Sequence, residues 1–123
     1  MNSSSNLQTL HMRNCVQATS GWLVALARSC PRLVELCAGG CHGLHDGGMV
    51  AVAHGCPRLQ TLKLGKCRGF TDEASQGLSA VATNCTRLQC LDLHGVRDLT
   101  DDCVQAAATS CPHLWILDAR QCP

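Results

Sequence analysis

One repeating pattern limits the fold of this chain more than any other feature. It begins with a cysteine, has leucines at the third, sixth and usually eighth positions after it, and often ends with a second cysteine. A complete copy is Cys-Pro-Arg-Leu-Gln-Thr-Leu-Lys-Leu-Gly-Lys-Cys at residues 56–67. The copies start at residues 4, 30, 56, 85 and 111, at intervals of 26, 26, 29 and 26, and the first has Ser4 in place of the cysteine. Such a period indicates a repeat protein rather than an ordinary domain with a single core.

Each copy predicts a short strand followed by a helix. The Leu-x-x-Leu-x-Leu segments alternate at period two near their ends, as strands do, and they predict strands near residues 7–13, 33–39, 59–65, 88–94 and 114–120. The segment after each strand is helical in pattern, and Thr19-Ser20, Thr71-Asp72 and Thr100-Asp101 are suited to cap these helices. The predicted fold class is therefore α/β: a curved leucine-rich-repeat solenoid with a parallel inner sheet and outer helices. It forms a single domain over residues 1–123, with about 4.5 repeats.

The chain has eleven cysteines, which would suggest a disulfide framework in a secreted protein. The count is odd, however, no export signal is visible at the N-terminus, and eight of the eleven occupy only two recurring repeat positions. Free cysteine behaves as a small, buried hydrophobic residue. We therefore interpret the cysteines as reduced thiols stacked in the core, and we predict a reducing, cytoplasmic or nuclear, location.

Composition excludes several partners. Ten basic and nine acidic side chains leave no electrostatic footprint for nucleic acid, and no stretch approaches the roughly 18 apolar residues of a membrane span. A glycine-rich nucleotide-binding loop is missing from the sequence, so we predict no cofactor.

Catalysis and metal binding are the weaker alternatives. Cys90, Asp92 and His94 share one strand face, but successive residues on a face lie about 6.7 Å apart, which is too far for a nucleophile and its base. We therefore predict that the chain is not an enzyme. Asp92 and His94 could approach one metal ion together with Asp118. The Cys37-x3-Cys41 segment resembles half of a zinc site, but it has no second cysteine pair. We predict no metal.

The residues between the strand leucines should face away from the core, on the concave surface. They form three columns across neighbouring strands: Thr9, Glu35, Thr61, Cys90, Ile116; His11, Cys37, Lys63, Asp92, Asp118; and Arg13, Gly39, Gly65, His94, Arg120. Strands about 4.8 Å apart make the members of a column neighbours, so that Lys63 can pair with Asp92. We predict that this face binds a protein; the alternative is an ordinary solvated sheet surface. The predicted contacts are Lys63, Asp92, His94, Asp118 and Arg120.

The two tryptophans are predicted to have different roles. Trp115 occupies a position that is polar in most repeats, and it is either a binding hot spot or a residue covered by further chain. Trp22, on the first predicted helix, is expected in the core.

The residues Cys56–Asp72 and Cys85–Asp101 resemble the cysteine-containing subclass of leucine-rich repeats, and the resemblance spans residues 4 to 122. That subclass is typical of F-box/leucine-rich-repeat proteins. The resemblance implies that the repeats bind a protein substrate for an SCF (Skp1–cullin–F-box) ubiquitin ligase. No room for an F-box is seen beside the repeats, so we expect a fragment or short isoform, with Skp1 and cullin bound only by a longer product that has an F-box. The alternative is an F-box-free adaptor or structural interaction protein outside ubiquitination.

Overall fold

The repeats form consecutive strands of one parallel sheet. The computed structural model describes residues 6–15, 19–44, 46–67, 74–95, 105, 108, 109, 111 and 116–118. The strands are β1 (Thr9–His11), β2 (Glu35–Cys37), β3 (Thr61–Lys63), β4 (Cys90–Asp92) and β5 (Ile116–Asp118). They pair in the order β1-β2-β3-β4-β5, each parallel to the next, and each lies inside the range predicted for it. The predicted α/β class with a parallel sheet is confirmed.

Helices connect the first four strands and lie on one side of the sheet. They are α1 (Ser20–Ser29), α2 (Asp46–Gly55) and α3 (Ala74–Asn84), and α2 packs between the other two. In the described part of the chain, no helix is both long and apolar enough to cross a membrane.

The central leucines of β2, β3 and β4 fill the space between sheet and helices. Leu36, Leu62 and Leu91 are at most 1% exposed. They share one buried cluster with helix side chains such as Val52 and Leu78. Burying a leucine contributes roughly 1.5–3 kcal/mol, so these repeated positions dominate the stability of the fold. Because neighbouring strand residues point to opposite sides, the residues flanking each leucine lie on the other face of the sheet.

The start of α1 shows one correct prediction and one wrong one. Thr19 is the N-cap, and its Oγ1 accepts a hydrogen bond from the backbone N–H of Trp22 at 3.3 Å. Trp22 itself is 38% exposed, so the prediction that it lies in the core is wrong. Leu23 and Ala27 form the buried stripe of α1, and a helix rotates by about 100° per residue, which turns Trp22 away from that stripe. The caps predicted at 71–72 and 100–101 lie outside the described residues.

Buried thiols join successive repeats. Cys67 Sγ donates to the carbonyl oxygen of Ala38 at 3.1 Å. The thiol of Cys56 bonds the carbonyl of Cys30 at 3.5 Å, and that of Cys85 bonds the carbonyl of Cys56 at 3.7 Å. Every described cysteine is a free thiol. The predicted stacking of reduced cysteines in the core is thus observed, and the location of the protein in the cell stays a prediction.

A left-handed residue ends the strand segment in four successive repeats. These residues are Asn14, Gly40, Lys66 and Gly95, with φ angles of 54°, 74°, 62° and 76°. Glycine adopts this conformation without steric cost and asparagine tolerates it, whereas a lysine is strained there. The backbone N–H groups of Asn14, Gly40 and Lys66 donate to the carbonyls of Gly39, Gly65 and His94 at 2.8–2.9 Å. The hydrogen bonds between neighbouring repeats therefore continue beyond the strand ends to this turn.

Candidate functional site

The face of the sheet opposite the helices, here called the open face, has polar and charged side chains. Across it, the register joins His11 to Cys37, Cys37 to Lys63, Lys63 to Asp92, and Asp92 to Asp118. These are the members of one predicted column, and they are neighbours as the alternation requires. Exposure differs along the column, because Lys63 is exposed whereas Cys37 is only 8% exposed.

A cleft of about 310 Å³ lies where β1 to β4 end. Its lining residues are Arg13, Asn14, Cys37, Gly39, Gly40, Lys63, Gly65, Lys66, Asp92 and His94. Three of them are permanently cationic and one is a carboxylate. The cleft is therefore a positively charged depression in the open face.

Two glycines make this depression possible. A Cβ atom on Gly65 would lie 2.4 Å from Cε1 of His94, and one on Gly39 would lie 3.3 Å from the carbonyl oxygen of Gly65. The missing side chain at residue 65 thus leaves the space in which the His94 ring rests. Any larger residue there would displace the ring or fill the cleft.

Asp92 bonds to His94 rather than to Lys63. Its Oδ1 accepts a hydrogen bond from the backbone N–H of His94 at 3.1 Å and lies 2.7 Å from the ring Nδ1. An aspartate commonly accepts from the N–H two residues ahead of it, which makes this local contact easier to form than one across strands. Among the described residues Lys63 has no ion-pair partner, and its ammonium group is free for another molecule.

The same contact corrects the distance argument made from the sequence. Residues 92 and 94 were expected to lie too far apart for a hydrogen bond, but β4 ends at Asp92 and the chain then turns. The two side chains meet because residue 94 is no longer part of an extended strand. The expectation that the chain is not an enzyme stays a prediction.

A second cluster lies on β1 and β2. His11 Nε2 contacts Glu35 Oε2, and both donor atoms lie within 4.8 Å of the Cys37 thiol and of one another. These are donor types that zinc accepts. Burial raises the pKa of Cys37, as does the carboxylate of Glu35, whereas the cations Lys63 and Arg13 act in the opposite direction. These two flanking positive charges oppose the binding of a metal cation.

The cluster of His11, Glu35 and Cys37 was not predicted, although the sequence contained the clue, since the three residues are adjacent in the first two columns. The other candidate ligand, Cys41, is buried in the core, with its thiol 4.0 Å from the carbonyl oxygen of Met12. It cannot share an ion with Cys37 on the open face. The absence of a metal remains a prediction.

The structure brings three of the six predicted contact residues together. Lys63, Asp92 and His94 line the cleft. Asp118 is the backbone neighbour of Asp92 in β5, and nothing further is described for it. Trp115 and Arg120 lie outside the described residues.

Sequence reasoning missed two cations of the cleft. Arg13 belongs to the third predicted column, but its charge was not singled out. Lys66 follows the last residue of a column and reaches the cleft from the left-handed turn. Strand alternation does not extend to that turn, so a pattern of period two could not identify Lys66.

Comparison with known proteins supports the fold. No protein-family model and no curated protein sequence matches this chain. Among solved structures, the chain is similar to one from the crystal structure of the Rad7 and Elc1 complex in yeast, with a TM-score of 0.76 and 23% identity. The similarity covers 93% of this chain and 28% of that chain, so this chain spans little more than a quarter of it. At this identity the similarity concerns the fold alone, and with the repeat spacing it indicates a leucine-rich-repeat-like structure.

Proposed function

We propose that this chain is a non-catalytic, protein-binding repeat domain, and that it acts as the substrate-recognition part of an SCF ubiquitin ligase in ubiquitin-dependent protein degradation. The observation that carries the proposal is the open face. From β1 to β4 the residue after the central leucine changes from His11 to Cys37, Lys63 and Asp92, whereas the central residue is leucine in all four strands. Charged groups at fixed spacing on a sheet can match opposite charges on a partner protein, which gives specificity.

Two features favour binding over catalysis. The cleft has a polar, charged lining, whereas sites for small molecules are mostly apolar. The thiol of Cys37 lies at the cleft, but burial raises its pKa. The thiolate is the nucleophilic form, so this cysteine is a poor nucleophile at neutral pH.

The proposed link to ubiquitination rests on a sequence resemblance and on a structural similarity. The repeats resemble those of F-box/leucine-rich-repeat proteins, in which the repeats bind the substrate. The structural neighbour, in turn, belongs to a complex of two proteins, Rad7 and Elc1. Association with another protein is common to both, and Skp1 and cullin are expected only with a longer product that includes an F-box.

The proposal is tested by purifying the tagged chain, and any longer product of its gene, from cells and identifying bound proteins by mass spectrometry. Thr9→Glu with Thr61→Glu places two carboxylates on the open face outside the cleft. Ser79→Glu with Thr83→Glu places the same two groups on the exposed side of α3 as a control.

We expect partners that bind the wild type and the helix control to be lost from the open-face variant. Equal recovery by both variants would contradict protein binding through this face. Face-dependent partners without Skp1 or cullin in any product would instead support the F-box-free adaptor.

A further inference from the structure

We infer that the cleft at the ends of β1 to β4 binds an acidic segment of the partner protein, with its glutamate or aspartate carboxylates held by Arg13, Lys63 and Lys66. This inference rests on the proposed function, because it names the chemistry that the open face recognises. It concerns the cleft alone, so it can fail while protein binding elsewhere on the face stands.

Within the described part of the chain, the positive charge of the cleft is local and is not neutralised by ion pairs. The whole chain has a net charge of only +1, yet three permanent cations line this one depression. None of Arg13, Lys63 and Lys66 has an ion-pair partner among the residues that the structure describes. A concave surface with charges of one sign attracts a ligand of the opposite sign.

The neighbouring acids do not compensate for these cations. Asp92, the single carboxylate among the described lining residues, is bonded to His94 through both the backbone N–H and the ring. Glu35, on the adjacent part of the open face, contacts His11. Both carboxylates therefore have local partners, and the three cations remain available to an incoming acid.

Three backbone amides at the cleft are already hydrogen-bonded, so side chains must provide the contacts to a ligand. The N–H groups of Asn14, Gly40 and Lys66 already donate to carbonyls of the next repeat. No amide among these three is free to bind an anion. A carboxylate in the cleft would be held by charge-assisted bonds from the side chains, and the guanidinium of Arg13 is suited to a two-point contact.

The form of the cleft fits a peptide side chain. Gly39 and Gly65 form a floor without side chains between Arg13 on one side and His94 on the other. The volume of about 310 Å³ is at the small end of ligand pockets and suits a few side chains of an extended segment.

Fluorescence anisotropy with the full chain tests the inference. The probes are a labelled decapeptide of alternating Glu and Gly and the matched peptide of Gln and Gly. The variant Lys63→Gln with Lys66→Asn removes two cleft cations, and asparagine tolerates the left-handed turn. The control Arg58→Gln with Arg87→Gln removes two exposed cations at the opposite ends of the strands, so the net charge falls equally.

We expect the Glu peptide to bind the wild type at least about tenfold more tightly than the Gln peptide. Losing two cation contacts should weaken binding about tenfold, whereas the control should change it less than about twofold. Asp92→Asn keeps the hydrogen-bond acceptor and removes the negative charge, so it should strengthen binding about two- to threefold. A gain of affinity cannot result from misfolding.

Equal binding of the two peptides, or equal loss in the cleft and control variants, would overturn the inference. Capture of cellular partners separates this failure from failure of the proposed function. Partners that depend on Thr9 and Thr61 but bind the Lys63→Gln, Lys66→Asn variant normally would leave the proposed function standing without the acidic segment. Partners that bind the Thr9, Thr61 variant as well as they bind the wild type would contradict both the proposed function and the acidic-segment inference.

Discussion

The two faces of the same strands differ in how they use the repeat. On the core face, consecutive repeats place Leu36, Leu62 and Leu91 at equivalent positions, and all three are buried. On the open face, the next residue changes from Cys37 to Lys63. Close packing demands the same shape in every layer, whereas a face without a covering layer imposes no such demand. The repeating residues therefore determine the fold, and the non-repeating ones determine what the molecule can bind.

The largest effect should separate two adjacent residues of β3. Leu62→Ala removes a side chain that is 1% exposed and should lower the free energy of unfolding by about 2–5 kcal/mol. Lys63→Ala removes an exposed side chain and should change it by less than about 0.5 kcal/mol. Urea denaturation followed by circular dichroism measures both. Similar losses of unfolding free energy in the two variants would mean that the two faces contribute equally to stability.

Alkaline pH should destabilise the protein mainly through the thiols of the core face. Burial raises the pKa of Cys56 and Cys67 to about 11 and that of Cys85 to about 12, from a value of 9.0 in an unfolded chain. The unfolded state therefore loses its thiol protons first as the pH rises. Stability is fully present below pH 9 and falls through the window up to pH 11–12, by about 1 kcal/mol per thiol for each pH unit.

Thermal melts between pH 8 and pH 11 measure this slope. Among the described residues five thiols have a raised pKa, and Cys85→Ala removes the one that burial raises to about 12, so this variant should reduce the slope by roughly a quarter relative to wild type. An unchanged slope in this variant would assign the alkaline loss to other groups.

A smaller effect tests the left-handed turn that joins core and cleft. Lys66→Gly should stabilise the chain by about 0.5–1 kcal/mol, because glycine accepts the φ of 62° that strains lysine. Gly95→Ala changes the equivalent position in the next repeat, where an added Cβ would meet nothing closer than 3.6 Å. Gly95→Ala should lower the free energy of unfolding by about 1 kcal/mol, because alanine is strained at the φ of 76°. The two variants should thus differ in sign, and a common sign in urea unfolding would contradict this origin of the strain.

The smallest effect on stability is expected at the cleft floor. Gly65→Ala would place a methyl group against the His94 ring, 2.5 Å from Nδ1. The ring is the end of a rotatable side chain, so it should turn away at a cost below about 1 kcal/mol. NMR should show a changed His94 ring environment while the amide signals of α1 remain in place. An unshifted His94 would contradict the packing described for the floor.

The repeat spacing predicted the parallel sheet, the strand register and the burial of the cysteines, because these depend on positions that recur in every layer. The Thr19 cap was likewise predictable, since a hydroxyl before a helix has few alternative roles. Features that occur in only one repeat were harder to predict from the sequence. The exposure of Trp22 depends on a rotation of 100° from the buried stripe, which the amino-acid type alone does not reveal.

The details of the cleft depended on where each strand ends. The alternation that defines the columns holds only while the chain is extended, and β4 stops at Asp92. Beyond that point, the Asp92–His94 contact and the approach of Lys66 result from turn geometry. A repeat pattern can therefore identify the open face, but not which charges on it remain free.

The most direct test of the account measures stability and binding together for Leu62→Ala and Lys63→Gln. These residues are adjacent in sequence and lie on opposite faces of β3. We predict a crossed result under conditions that keep both variants folded. Leu62→Ala should lose about 2–5 kcal/mol of unfolding free energy with little change in affinity for the Glu peptide, and Lys63→Gln should keep its stability and bind about threefold more weakly. Loss of both stability and binding in each variant would contradict the claim that the core face determines stability and the open face determines binding.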